Sequence, residues 1–217
     1  MPDGGLYRAW KDGAAKVPAF LDDYAFLANA LIDLYESGFD RRYLERAQSL
    51  VDLILDKFWD DGFYFTPREG ERLVHRPRSP HDHAWPSGTS TSVFALLRLH
   101  ELTGRDSYRD RAEHVFQMYG AAAAKNPFGF SHLLAALDFS QRPVSIVLAG
   151  GLGEVAPLVE AVHRSYHPAR VLAFAEDVPA GQGRGPVDGQ PAAYVCRNRT
   201  CDAPVTSAKA LLECCAA

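Results

Sequence analysis

Between Leu21 and Gly38 the apolar positions Tyr24, Leu27, Leu31, Leu34 and Tyr35 recur at the i, i+3, i+4 intervals of one helical face. The pattern predicts a helix with Asp22 as N-cap and Gly38 as its stop. A second helix follows from Asp40, with Tyr43, Leu44, Ala47, Leu50, Val51, Ile54 and Phe58 on one stripe. The short Gly38–Phe39 link makes the pair an antiparallel helical hairpin. The device then returns. Val93, Leu96, Leu97 and His100 mark a third helix that stops at Gly104, and Asp106 opens a fourth carrying Tyr108, Ala112, Val115, Phe116 and Tyr119. GFDRRYLERA and GRDSYRDRA sit at corresponding places, about 65 residues apart, a spacing longer than the helical solenoid periods. Between the hairpins, alternating aromatic and polar residues across Gly62 to Thr66 predict a short β-excursion. A fifth helix is expected from Gly129 to Phe139.

From Pro143 the periodicity changes. VSIVLAG is a continuous apolar run of strand length, EVAPLVEAVHRSY is helical and RVLAFA is a second strand, together a βαβ unit with a parallel sheet. PAGQGRGPVDGQP links it to AAYVCRN and to a final short helix, Ser207 to Cys215. The expected architecture is mainly α: a partial (α/α) toroid of helical hairpins over residues 1–141, followed by a small α/β module over 142–217.

Composition narrows the function classes. Hydrophobic residues make up 47% of the 217 and charged ones 23%, enough apolar material for a sizeable core. The net charge of −4 and the scattered basic residues leave no stripe to neutralise a phosphate backbone, which excludes nucleic acid as a partner. No apolar run approaches the ~20 residues of a membrane span, and MPDGGLYRAW lacks a signal peptide's charged and apolar regions. No membrane partner and a cytoplasmic location are the expectation. Cys196, Cys201, Cys214 and Cys215 crowd the end of the chain, unlike a secreted disulfide framework, and read as small apolar fillers.

The chemistry concentrates in RPRSPHDHAWPSGTS, Arg76 to Ser90. Ser87, Gly88 and Thr89 stand at a helix start, where free backbone N–H groups attract an anion or a hydroxyl-rich ligand, although Ser87 as a simple cap explains the same residues. Arg76, Arg78 and Asp82 lie just upstream, and Asp22, Asp23 and Tyr24 open the neighbouring helix. Sugar chemistry uses two carboxylates about 5 to 9.5 Å apart across the bond being broken. Asp22 and Asp23 point about 100° apart on a helix and cannot be that pair, whereas Asp82 with one of them fits. The candidate site is therefore Asp82, Asp22 and Asp23 as catalytic carboxylates, with Tyr24, Arg76, Arg78, Ser87, Gly88 and Thr89 binding a sugar-like small molecule.

No cofactor or metal is expected. His81 and His83 around Asp82 supply too few ligands for structural zinc, and adjacent Cys214 and Cys215 cannot readily reach one tetrahedral ion. Gly151-x-Gly153-x-x-Ala156 mimics a dinucleotide fingerprint, but Glu154 would set negative charge beside the pyrophosphate and Pro157 interrupts the turn.

In this order, FLDDYAFL, GFYFTP, RPRSPHDHAWPSGTS and AYVCRNRTCDAPVT resemble the C-terminal region of the thioredoxin-domain-containing protein family that includes the spermatogenesis-associated members. The resemblance implies a toroid similar to six-hairpin glycosidases and N-acylglucosamine 2-epimerases, preceded by a thioredoxin-like domain and by further hairpins. PSGTS stands where that family has PSGNS, so Thr89 keeps a hydroxyl and loses an amide. His83 stands where a small residue is commoner. The function this implies is part of a carbohydrate-active protein; the alternative is a non-catalytic binding or scaffolding module serving an absent redox domain. With only two clear hairpins, the stripes bearing Leu27, Leu31, Val93 and Leu97 are expected to lie uncovered. Either self-association or the missing upstream hairpins and thioredoxin-like domain would cover them.

Overall fold

The computed structural model describes residues 1, 4–69, 74–198 and 200–216. It opens on an element that hydrophobic patterning does not announce. Strands β1 (Tyr7–Lys11) and β2 (Ala14–Pro18) form an antiparallel hairpin with Lys11 opposite Ala14, exposed along both strands. Asp12 and Gly13 turn it with φ of 54° and 75°, the pair of positive φ values a two-residue hairpin loop needs.

Five helices follow: α1 (Leu21–Gly38), α2 (Arg41–Lys57), α3 (Gly88–Thr103), α4 (Asp106–Lys125) and α5 (Ser131–Gln141). Helix α1 packs on α2 and α3, and α3 packs in turn on α4 and α5, so α1, α3 and α5 form one layer backed by α2 and α4. This explains why α3, alone among them, is buried nearly all round. It also corrects the expectation of an uncovered edge there: Val93 and Leu97 are buried, as is Leu31. Leu27 is exposed as expected, and with Phe26 and Leu34 it forms an apolar stripe along α1.

The helix ends differ from the sequence reading in detail. Asp22 does not cap α1; the N-cap is Phe20, whose backbone N–H donates to the Asp23 carboxylate at 2.9 Å. The left-handed stop is Phe39 (φ 54°), with Gly38 still helical. Asp40 caps α2 through the Arg42 N–H, and Gly104 ends α3 with φ of 71°. The β-excursion after α2 is a loop with one bridge, Trp59 to Phe63, and no strand. Its aromatics are anchors instead. Phe65 stacks on Phe20 at 4.8 Å, Trp59 meets Phe63 edge-on, and the Leu21 N–H donates to the Phe65 carbonyl.

The remainder is β3 (Val144–Ala149), α6 (Ala156–Arg164), β4 (Arg170–Phe174), β5 (Ala192–Arg197), β6 (Thr200–Cys201) and α7 (Ala208–Ala216). The sheet order is β4-β3-β5-β6. β3 pairs parallel with β4, as the βαβ reading required, and antiparallel with β5, so that Ile146 faces Leu172 on one side and Val195 on the other. Sheet and helices share one hydrophobic cluster. At their junction the Tyr35 hydroxyl donates to Asp177 and accepts from the Phe174 N–H, and the buried Glu36 carboxylate takes Arg98 of α3 at 3.1 Å and Arg170 of β4 at 3.3 Å. The chain is thus mainly α with a small mixed sheet. No helix among the described residues is long and apolar enough to cross a membrane.

Candidate functional site

The loop before α3 is organised by Asp82. Its backbone N–H donates to the Gly129 carbonyl, Oδ1 accepts from the Ser87 N–H at 2.8 Å, and Oδ2 accepts from the His132 N–H at 2.8 Å. One carboxylate thereby ties the N-cap of α3 to the first turn of α5. Only 7% of the residue is exposed, so it is not the free loop side chain that its polar neighbours suggested. Ser87 caps α3, its Oγ accepting from the Ser90 N–H at 3.0 Å.

A shallow cavity of about 300 Å3 opens beside this knot, lined by Asp82, His83, Trp85, Pro86, Ser131 and His132. Trp85 is 64% exposed there, a large flat apolar surface next to polar groups. Burial pushes the His132 imidazole below its ordinary value, with Asp82 acting against that shift, so the ring is held as a neutral donor and acceptor at physiological pH. His81 lies against Phe130 instead.

The other predicted residues divide between places. Gly88 touches α1: a Cβ added there would stand 2.9 Å from the Asp22 backbone nitrogen, so α1 and α3 begin in contact. Asp22 and Asp23 share Arg8, at 3.6 and 3.5 Å, and Asp23 is further engaged by the Phe20 N–H. Neither lines the Asp82 cavity. The Tyr24 hydroxyl accepts from the Leu6 N–H and borders a separate cavity of about 520 Å3 with Asp56, Lys57 and Arg68. Arg76 and Arg78 both stack on Tyr64, with guanidinium carbons 4.2 and 4.5 Å from the ring centre, and donate to the carbonyls of Thr66 and Asp60. Thr89 is buried, and among the described residues its hydroxyl finds no hydrogen-bond partner; the same holds for Thr91 and Ser92 in the same turns.

No protein-family model matches this sequence. Spermatogenesis-associated protein 20 of Homo sapiens is 32% identical over 203 residues, and its Rattus norvegicus counterpart 30% identical over 203 residues. The chain resembles part of spermatogenesis-associated protein 20. Each of these alignments covers 86% of this chain and 26% of the relative, so the chain spans about a quarter of the length of the curated relatives it matches. An uncharacterized protein of Caenorhabditis elegans is 29% identical over 218 residues. The spermatogenesis-associated resemblance read from the motifs has its counterpart in these names.

In the glycine turn after β3, the Glu154 carboxylate folds back to accept from the Gly151 N–H at 2.9 Å, filling the cradle that a pyrophosphate would need. Among the described residues no three His, Cys, Asp or Glu side chains are grouped to hold a metal ion. The reading of the cysteines as fillers is corrected for one pair: Cys196 and Cys201 form a disulfide across β5 and β6. Their spacing carried the signal. C-x4-C around Asn198, which takes φ of 50°, is a two-residue hairpin with the cysteines directly opposed.

Proposed function

We propose that the chain is a binding module for a polyhydroxylated, sugar-like ligand within a larger protein, its helices forming an arc of an (α/α) toroid, and that it binds without turnover. The observation that carries this reading is the cavity shared by Trp85, Asp82 and His132. An exposed indole offers its face to the C–H face of a sugar ring, while the His132 imidazole beside it accepts from and donates to hydroxyls, with Asp82 holding the loop that brings the two together. The carboxylates speak against hydrolysis. Glycoside hydrolysis needs two, one of them free to move a proton. Asp82 has both oxygens engaged by backbone N–H groups, and Asp22 and Asp23 are spent on Arg8 and the start of α1.

Titrating mono- and oligosaccharides while following tryptophan fluorescence tests this directly. Saturable quenching that disappears in Trp85→Ala, in a protein whose melting temperature is unchanged, is expected. Hydrolysis of any saccharide that depends on Asp82 would overturn the non-catalytic part. A flat titration across the panel would overturn the binding part.

A further inference from the structure

We propose that Cys196 and Cys201 form a thiol–disulfide exchange site for low-molecular-weight disulfides, with Cys201 as the attacking sulfur, Cys196 as the resolving one and Arg184 as the group that holds the thiolate. The pair divides as such chemistry requires. Both border a cavity of about 330 Å3, but Cys196 is only 5% exposed, whereas Cys201, on the two-residue edge strand β6, is partly open. That cavity is also lined by His100, Glu101, Ser145 and Arg184, and is large enough for a small thiol compound.

Arg184 supplies the charge. Its Nη2 lies 2.7 Å from Cys201 Sγ, its guanidinium carbon is 5.5 Å from the Tyr194 ring centre, and its buried Nη1 has no hydrogen-bond partner among the described residues. Among the described residues this guanidinium has no anion to pair with while the disulfide is intact. It gains one when reduction leaves a thiolate on Cys201, and a neighbouring cation is a standard means of keeping a cysteine ionised and reactive.

The hairpin does not depend on the bond for its register. Asp202 N–H donates to the Val195 carbonyl, and Ala193 and Val205 exchange both of their backbone hydrogen bonds. The disulfide closes a loop of sequence separation 5, the short-loop case in which a cross-link restrains the unfolded chain least. Opening it therefore leaves the sheet in place. The remaining thiols are poor competitors, because burial pushes both Cys214 and Cys215 up, and the Cys214 thiol also donates to Asp202 at 3.3 Å.

The cycle balances. In the reduced protein the Cys201 thiolate attacks one sulfur of a small disulfide RSSR, forming a mixed disulfide and releasing RS−. Cys196 gives its proton to solvent, attacks Cys201 Sγ, and expels the second RS− as the Cys196–Cys201 bond forms. Two electrons pass from the protein dithiol to the small disulfide, and two equivalents of reduced thiol reverse the sequence.

The 217-residue chain equilibrated in glutathione buffers of graded ratio, then alkylated and mapped by mass spectrometry, tests the proposal. The expected result is reversible interconversion of the Cys196–Cys201 disulfide and dithiol with an unchanged circular dichroism spectrum. Cys196→Ser is expected to accumulate one glutathionyl group on Cys201. In the reduced protein, Cys201 is expected to alkylate fastest of the four cysteines at neutral pH. Arg184→Gln is expected to slow it roughly tenfold, the loss of thiolate that accompanies a one-unit rise in a thiol pKa, and Arg184→Lys to restore it. A disulfide that resists reduction in the folded protein, loss of the fold on reduction, or an alkylation rate at Cys201 indifferent to Arg184 would each overturn the assignment.

Discussion

Asp82 shows how one side chain can look functional in a sequence and prove architectural in the fold. Flanked by histidines and prolines, it reads as a loop carboxylate, yet it is buried with each oxygen accepting a backbone N–H from a different helix start. An amide cannot replace it. Asparagine offers one acceptor and turns an NH2 toward the second N–H, leaving a buried donor unsatisfied at about 1–3 kcal/mol. Asp82→Asn is accordingly expected to lower the unfolding free energy from denaturant titration by that much, whereas Asp22→Asn, at a partly exposed carboxylate shared with Arg8, stays within about 0.5 kcal/mol of the parent. Equal effects at the two positions would show that the Asp82 bonds do not hold the loop. The sequence made this residue visible but not its role, because the partners are backbone groups of residues 87 and 132, and no pattern of side-chain types records a hydrogen bond to a distant main chain.

At the scale of elements, what was legible follows periodicity and what was hidden follows contact. All five long helices, the parallel βαβ unit and the Ser87 cap are written in apolar spacing and in the capping residues. The β1–β2 hairpin was missed because its strands are exposed and lack alternation, although Asp12–Gly13 is a strong turn signal. The supposed strand at Gly62 to Thr66 failed for the opposite reason: its aromatics alternate to anchor a loop, with no partner strand among the described residues. Gly88 belongs to the contact class. It reads as part of a helix start, but its lack of a Cβ is what lets α3 begin against the Asp22 backbone of α1. Gly88→Ala places a methyl 2.9 Å from a main-chain nitrogen that has no rotamer to yield, so the two helix starts must move apart. A loss of about 1–3 kcal/mol is expected, in spite of alanine's better helix propensity. A variant as stable as the parent, or more so, would mean that the α1–α3 contact is loose.

For the whole molecule, the change of pattern near Gln141 marks where helical hairpins give way to the sheet, but the energetics cross that line. Tyr35 and Glu36, on adjacent positions of α1, reach β4 and its following turn. Burial pushes both groups above their ordinary range; the Asp177 charge adds to the rise at Tyr35, while Arg98 and Arg170 offset part of it at Glu36. Such a link was not legible in the sequence, since Glu36 looks like one more polar residue at the end of an amphipathic helix. Removing one member of a buried ionic group leaves the others uncompensated. Glu36→Gln strips the shared counter-charge from two arginines, of which Arg98 keeps the exposed Asp33 at 2.7 Å and Arg170 does not. The expected cost is about 3 kcal/mol. Its form matters more than its size. If helices and sheet unfold together, the parent shows one transition by far-ultraviolet circular dichroism and by tryptophan fluorescence, and Glu36→Gln moves both midpoints equally. The alternative, two independent units, would show in the parent itself as two transitions, with the circular dichroism and fluorescence midpoints apart. All three tryptophans, Trp10, Trp59 and Trp85, lie before Gln141, so fluorescence reports the helical part, and a substitution that merely uncoupled the sheet would separate the two signals.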